Sequence, residues 1–250
     1  MHNNRSHRMR PLVSVLTVLL LQSPLCFGDG VQPRLLEGAR TDIPNDIPLP
    51  DLLARRWAEH DQVYVSKGPY PEPSRYVTSC VELDAAFANG EYAMDTASMG
   101  KETQRREDCQ NIKRLLRATP ASRSDIVWPF CLDRDAYLKL SETLDGLWGA
   151  SGLESVVVTS CKPSDTAAIV KYRQLIEPAN EWHEGLFSAR VGLRYLVQGD
   201  FDGDGWLDVI AELTAGLEFP AGVWYQSGMS AVVKLSRVDG DLKVATFSDL

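Results

Sequence analysis

Gly199-Asp-Phe-Asp-Gly-Asp-Gly-Trp-Leu-Asp-Val-Ile-Ala211 is the stretch on which the reading of the chain turns. It puts Asp200, Asp202, Asp204 and Asp208 at positions 1, 3, 5 and 9 of a short loop that also holds Gly203 and Gly205. Aspartate and glycine dominate turns because they tolerate unusual backbone angles, so a solvated hairpin turn accounts for part of this composition. It does not account for four carboxylates in alternation, which repel one another unless a cation gathers them. Hard divalent cations such as Ca²⁺ take six to eight oxygen ligands at about 2.3–2.6 Å, and acids alternating along a turning loop point inward at such a centre. On either side, residues 190–197 and 206–213 are rich in β-branched and aromatic side chains, the composition of strands. The stretch therefore reads as strand, loop, strand.

The spacing resembles the first nine positions of an EF-hand loop, with Asp200, Asp202 and Asp204 as side-chain ligands, Gly205 at the sharp turn and the Trp206 carbonyl at position 7. Position 12 of that loop needs a bidentate Glu. Here it is Ala211, with Glu212 one step late, so an ordinary EF-hand is not expected. The same residues, over about fifteen positions, resemble the calcium loop of FG-GAP or VCBS-type repeats. That resemblance implies a Ca²⁺-binding β-hairpin, with Asp200, Asp202, Asp204 and Asp208 as side-chain ligands and a carbonyl from Trp206. Those families repeat the unit around a β-propeller, whereas this chain carries one copy. Extracellular calcium sites bind at about 10⁻⁴–10⁻³ M, which suits a structural ion kept in place by its surroundings rather than a sensor.

The amino terminus supports an exported protein. Arg5, Arg8 and Arg10 precede an apolar run over residues 12–21, followed by Pro24 and the small-residue pattern Cys26-Phe27-Gly28. This reads as a signal peptide cut after Gly28. The run is about half of what a membrane-spanning helix needs, and no later segment approaches that length. Residues 29–250 retain Cys80, Cys109, Cys131 and Cys161. An even number in an exported chain reads as two disulfides. Three connectivities are open, with sequential pairing, Cys80 with Cys109 and Cys131 with Cys161, preferred. No two of these cysteines have the short spacing of a zinc site.

Net charge is −8 for the whole chain, and loss of the three signal arginines takes it to −11. Nucleic acids and anionic membrane surfaces call for basic patches, so this balance argues against both. A protein partner, if there is one, is expected to be basic. Surplus acid serves the solubility of an exported protein equally well.

The remainder divides by pattern. Residues 29–75 are punctuated by Pro44, Pro48, Pro50, Pro69, Pro71 and Pro73 and read as extended, with one short helix over 51–60 capped by Asp51. Residues 76–152 read as helical. A strong helix former ends at Arg117, before Pro120, with Cys109, Ile112, Leu115 and Leu116 on one face. A second helix starts at Asp133, with Tyr137, Leu140, Leu144, Leu147 and Trp148 as a buried stripe up to Gly149. Residues 153–250 read as antiparallel β, with strands over 154–160, 168–176, 190–197, 206–213, 230–238 and 242–247. Asp239-Gly240 is a hairpin signal between the last two. The expected class is α+β: a helical, disulfide-linked N-terminal part packed on a C-terminal antiparallel sheet that carries the calcium hairpin.

Catalytic patterns are sparse. His60 and His183 are the histidines left after the signal segment. His183-Glu184 lacks the second histidine of a metalloprotease helix, since position 187 is Phe187, and His183 reads as a surface residue of a loop before a strand. Ser98-Met99-Gly100-Lys101 fits S-x-x-K without its companion motifs. Carboxylate pairs for glycoside hydrolysis could come from Glu177, Glu181, Glu184, Glu212 and Glu218, with no pair singled out. The segment after the loop holds Phe219, Trp224 and Tyr225, anchor types of interfaces that equally suit an adjacent strand. The expectation is an exported, calcium-stabilised, non-catalytic protein-binding module, of inhibitor or immunity type. The alternatives are a calcium-stabilised periplasmic or secreted hydrolase acting on carbohydrate or cell wall, and a structural or adhesive module.

Overall fold

Successive side chains of a strand point to opposite faces, and the C-terminal half of this chain uses both. In a computed structural model, residues 30–39, 48–68, 73–125, 130–144, 152–176, 183–218 and 224–247 are described. The elements in order are β1 (Arg34–Leu35), β2 (Val63–Ser66), β3 (Ser74–Val77), α1 (Cys80–Ala88), β4 (Tyr92–Ala93), α2 (Thr96–Arg117), α3 (Arg134–Thr143), β5 (Leu153–Cys161), β6 (Asp165–Ile176), β7 (His183–Gly199), β8 (Asp208–Glu218), β9 (Trp224–Val238) and β10 (Asp241–Thr246). Strands β5 to β10 form an antiparallel meander in sequence order, and β1 joins it by pairing with β7. A second antiparallel sheet has the order β3-β2-β4. The mostly antiparallel sheet, few helices and two disulfides are compatible with the α+β class.

On the inner face of the large sheet, Ala168, Val170, Tyr172, Ala189, Val191, Leu193, Val209, Ala211, Leu213, Val233 and Leu235 pack against Leu132, Tyr137, Leu140 and Leu144 around α3. Burying each large apolar side chain stabilises by about 1.5–3 kcal/mol, which makes this cluster the main source of stability. On the outer face near the Asp200 loop, Leu196, Val197 and Ile210 pack on Leu115 of α2. The same helix turns Cys109 and Ile112 toward the small sheet and α1, so α2 joins the two sheets. Asp95 caps α2 by accepting from the Ser98 N–H at 2.7 Å, and Asp133 caps α3 by accepting from the Ala136 N–H at 2.9 Å.

The disulfides are Cys80–Cys109, joining α1 to α2, and Cys131–Cys161, joining the segment before α3 to the end of β5. This is the sequential pairing preferred from sequence. The β10 hairpin turns at Asp239 and Gly240, with φ of 52° and 85°, the doubly left-handed turn that Asp-Gly favours.

Several expectations change. Residues 51–60 do not form one helix. Two 3₁₀ turns, Leu49–Leu52 and Glu59–Asp61, flank an irregular stretch, because the Trp57 N–H is drawn away to the Thr78 carbonyl at 2.6 Å. The helix α1 falls within the region read as helical but outside the two helices singled out there, and its buried positions Cys80, Leu83 and Ala86 include only one long side chain. The region 76–152 also contains the short strand β4. Leu116 is exposed, since the buried side of α2 runs through Asp108, Asn111 and Arg114 instead. Strand β7 begins at His183, which is therefore not in a loop. Residues 1–28, read from sequence as a signal peptide, and Leu147, Trp148, Gly149 and Phe219 lie outside the described residues.

Candidate metal centre

The Asp200 loop spans the gap between β7 and β8, which part after the backbone pair Gly199 and Asp208. Its closing bend uses Gly203 and Gly205 at φ of 78° and 83°, where an L side chain is strained. A Cβ on Gly205 would also meet Ser122 Oγ at 2.9 Å. Within the bend the Asp200 carboxylate accepts from Gly203 N–H at 2.7 Å and from Gly205 N–H at 2.9 Å. The Asp208 carboxylate accepts from Phe201 N–H at 3.0 Å.

Oxygen atoms of Asp200, Asp202 and Asp208 lie within 4.8 Å of one another. Ligands about 2.3–2.6 Å from a shared calcium ion can be at most about 5 Å apart, so this spacing fits one coordination sphere. A carboxylate has about four lone-pair sites, so those already accepting two hydrogen bonds keep capacity for an ion. The donor set is all oxygen and acidic, the chemistry of a hard cation. Three of the five sequence-nominated residues are thus brought together in a triad that could hold a metal ion. Asp204 is not part of it, and its carboxylate accepts from Trp206 N–H at 2.8 Å. Trp206 leaves the loop in a bridge with Arg123, whose guanidinium stands 5.6 Å from the indole centroid.

Two features were missed from sequence. The first is Lys234 on β9, whose ammonium lies 3.3 Å from Asp208 Oδ1 and also donates to Asp202 Oδ2. Asp208 is fully buried and burial pushes its carboxyl above the usual range, more than the Phe201 N–H and Lys234 pull it down. Burial acts the same way on Asp202, yet its hydrogen bond to Lys234 and that residue's charge outweigh it and hold the carboxyl below the usual range. Burial opposes charge on Lys234 too, but the two carboxylates prevail and its pKa is raised.

The second is a clasp formed by the segment after α2. Thr119 and Asp200 exchange backbone hydrogen bonds at 2.9 and 2.8 Å, Ser122 and Arg123 N–H groups both reach the Gly205 carbonyl at 2.9 Å, and Leu207 N–H reaches the Arg123 carbonyl at 2.8 Å. The loop is held from outside the hairpin as well as from within.

The other nominated residues are placed as follows. Ser98 is buried and donates to Asp95 Oδ2 at 3.1 Å, a helix-capping role rather than a nucleophile's. His60 is exposed beside Asp61. Glu212 and Glu107 both contact the Arg194 guanidinium. Trp224 and Tyr225 pair with Glu218 and Leu217 in strand register, so they sit in β9 and not in a loop. The backbones of Glu184 and Glu218 belong to β7 and β8, and Glu177 and Glu181 lie outside the described residues. No helix among the described residues is long and apolar enough to cross a membrane.

No protein-family model, no curated protein and no solved structure matches this chain.

Proposed function

We propose that the chain is an exported protein-binding module whose Asp200 loop is fastened by a structural calcium ion. The observation that carries this reading is the acidic triad of Asp200, Asp202 and Asp208, with Asp208 fully buried. A buried carboxylate is expensive unless its charge is matched. A single ammonium facing two carboxylates leaves negative charge that a divalent ion would neutralise. The triad lies where β7, β8, β9 and the clasp after α2 converge, so an ion there would tie the helix to the sheet. That is a structural function, and it leaves the rest of the surface available for a partner.

A calcium-stabilised hydrolase is the rival reading. Glu107 and Glu212 supply a carboxylate pair for it among the described residues, in a groove of about 220 Å³ between α2 and the sheet. Both acids meet the same guanidinium of Arg194, which engages both as ion-pair partners. The binding reading is preferred for that reason. Affinity capture of the oxidised, exported protein with Ca²⁺ or with EGTA separates the two. A partner that co-purifies in a calcium-dependent manner supports binding, while turnover of a glycan panel with no partner in either condition overturns it.

A further inference from the structure

A cavity of about 150 Å³ between the 3₁₀ segments and α2 is lined by Leu52, Arg55, Arg56, Trp57, Asp61, Cys80, Arg105, Asp108 and Ile112, among others. Its two sides differ in chemistry. One is apolar, formed by Leu52, Ile112 and Trp57 with the Cys80–Cys109 disulfide. The other is charged. Arg105 meets Asp108 at 2.9 Å and Asp61 at 2.6 Å, with its guanidinium 5.6 Å from the Trp57 ring centroid. Those three side chains leave one net negative charge, which Arg55 and Arg56 at the mouth turn into one net positive charge. Both arginines are exposed and neither is ion-paired among the described residues. In a chain of net charge −8, a small concavity with a cationic mouth is a local reversal of sign.

We propose that this cavity binds an organic carboxylate carrying a short apolar group, with Arg55 and Arg56 holding the carboxylate and Leu52, Trp57 and Ile112 receiving the apolar part. Arginine presents two parallel N–H donors that match a carboxylate, which suits it to such capture. A tetrahedral inorganic anion would use the charges and ignore the apolar wall. The same chemistry has two sources, the free C-terminus of a partner chain and a free small acid such as an amino acid. Capture of a terminal carboxylate is an established mode of peptide recognition. In that form the inference rests on the protein-binding reading and names what the partner offers.

The test uses the oxidised chain in Ca²⁺ and in EGTA, with calorimetry and amide chemical-shift mapping. The probes are N-acetyl-alanine, N-acetyl-alaninamide, alanine, the tetrapeptide Gly-Gly-Ala-Ala with a free or amidated terminus, and inorganic phosphate. N-acetyl-alanine and the free-terminus tetrapeptide are expected to bind and to shift the Trp57 and Ile112 amides, with each amide form at least tenfold weaker (about 1.4 kcal/mol). Tighter binding of the tetrapeptide identifies a chain terminus, and tighter binding of alanine identifies a free acid. Arg55→Gln with Arg56→Gln is expected to weaken the acids at least tenfold while leaving the melting temperature unchanged, because both positions are exposed. Equal binding of acid and amide, phosphate binding as tight as N-acetyl-alanine, or no effect of the double substitution would overturn the proposal. Acid binding that persists while Ca²⁺ leaves the melting temperature unmoved would sink the calcium reading alone.

Discussion

Lys234 Nζ stands 3.3 Å from Asp208 Oδ1 and donates as well to Asp202 Oδ2. One ammonium from β9 therefore faces carboxylates from the start and the end of the Asp200 loop, and a calcium ion would have to share or displace it. Replacing it should have opposite effects with and without metal. In EGTA, Lys234→Met leaves a buried carboxylate unmatched and is expected to destabilise by about 1–3 kcal/mol. Under Ca²⁺ titration the same variant should bind at least tenfold more tightly, because the ion no longer competes with a tethered cation. Calorimetry on both proteins decides this, and weaker calcium binding by the variant would contradict the competition.

The buried and exposed acids of the loop should also separate. Calcium at about a hundred times its Kd is expected to add about 2.7 kcal/mol to stability. For a chain of this size that raises the melting temperature by about 5–10 °C. Asp208→Asn should abolish the rise, since Asp208 belongs to the triad and is fully buried. Asp204→Asn should keep most of it, because that side chain is turned to Trp206 N–H. Thermal melts of the three proteins with Ca²⁺ and EGTA read the difference directly, and equal losses in both variants would restore Asp204 as a ligand.

The triad was legible because its members lie within nine residues of sequence and their spacing alone implies a shared centre. The six long strands were legible for a similar reason: alternation at period two survives without knowledge of neighbours. Lys234 was not, because its approach to Asp208 depends on the β8–β9 register, with Asp208 opposite Ser236, and Pro220 and Gly222 between those strands mark a turn without setting which residues pair across it. The clasp over residues 119–123 was hidden by its distance from the loop along the chain and by the stop signal of Pro120. The buried face of α2 was misjudged at Leu116 because apolar spacing favoured it. The helix buries Asn111 and Arg114 instead, with Arg114 donating to Asn111 Oδ1 at 2.7 Å, and polar burial of this kind leaves no hydrophobic trace.

The Cys80–Cys109 bridge closes a separation of 29 residues and ties α1 to α2 within one apolar cluster. By loop-closure entropy its removal through Cys80→Ser with Cys109→Ser should lower stability by about 3–4 kcal/mol. Urea unfolding of the double variant tests the figure. The Asp200 loop lies in a different part of the fold, so the calcium-dependent gain in stability should be retained by the variant. Loss of that gain along with the bridge would mean that the helix layer and the loop unfold as one unit.

Alkaline pH probes the inner face of the large sheet. Burial pushes the Tyr137 hydroxyl up to about 12 from its ordinary 10, with Tyr172 nearby adding to the effect. Tyr172 and Tyr195 are raised by burial as well. A group with a raised folded pKa contributes stability that is complete below its unfolded pKa and is lost as pH climbs through the folded one. For Tyr137 that window runs from pH 10 to about 12, and a shift of this size corresponds to about 3 kcal/mol. Tyr137→Phe should therefore lose stability less steeply with pH across the window. Denaturant unfolding at closely spaced pH values compares the two slopes. Parallel curves would show that Tyr137 does not keep its proton through burial, and that the inner face admits water around it.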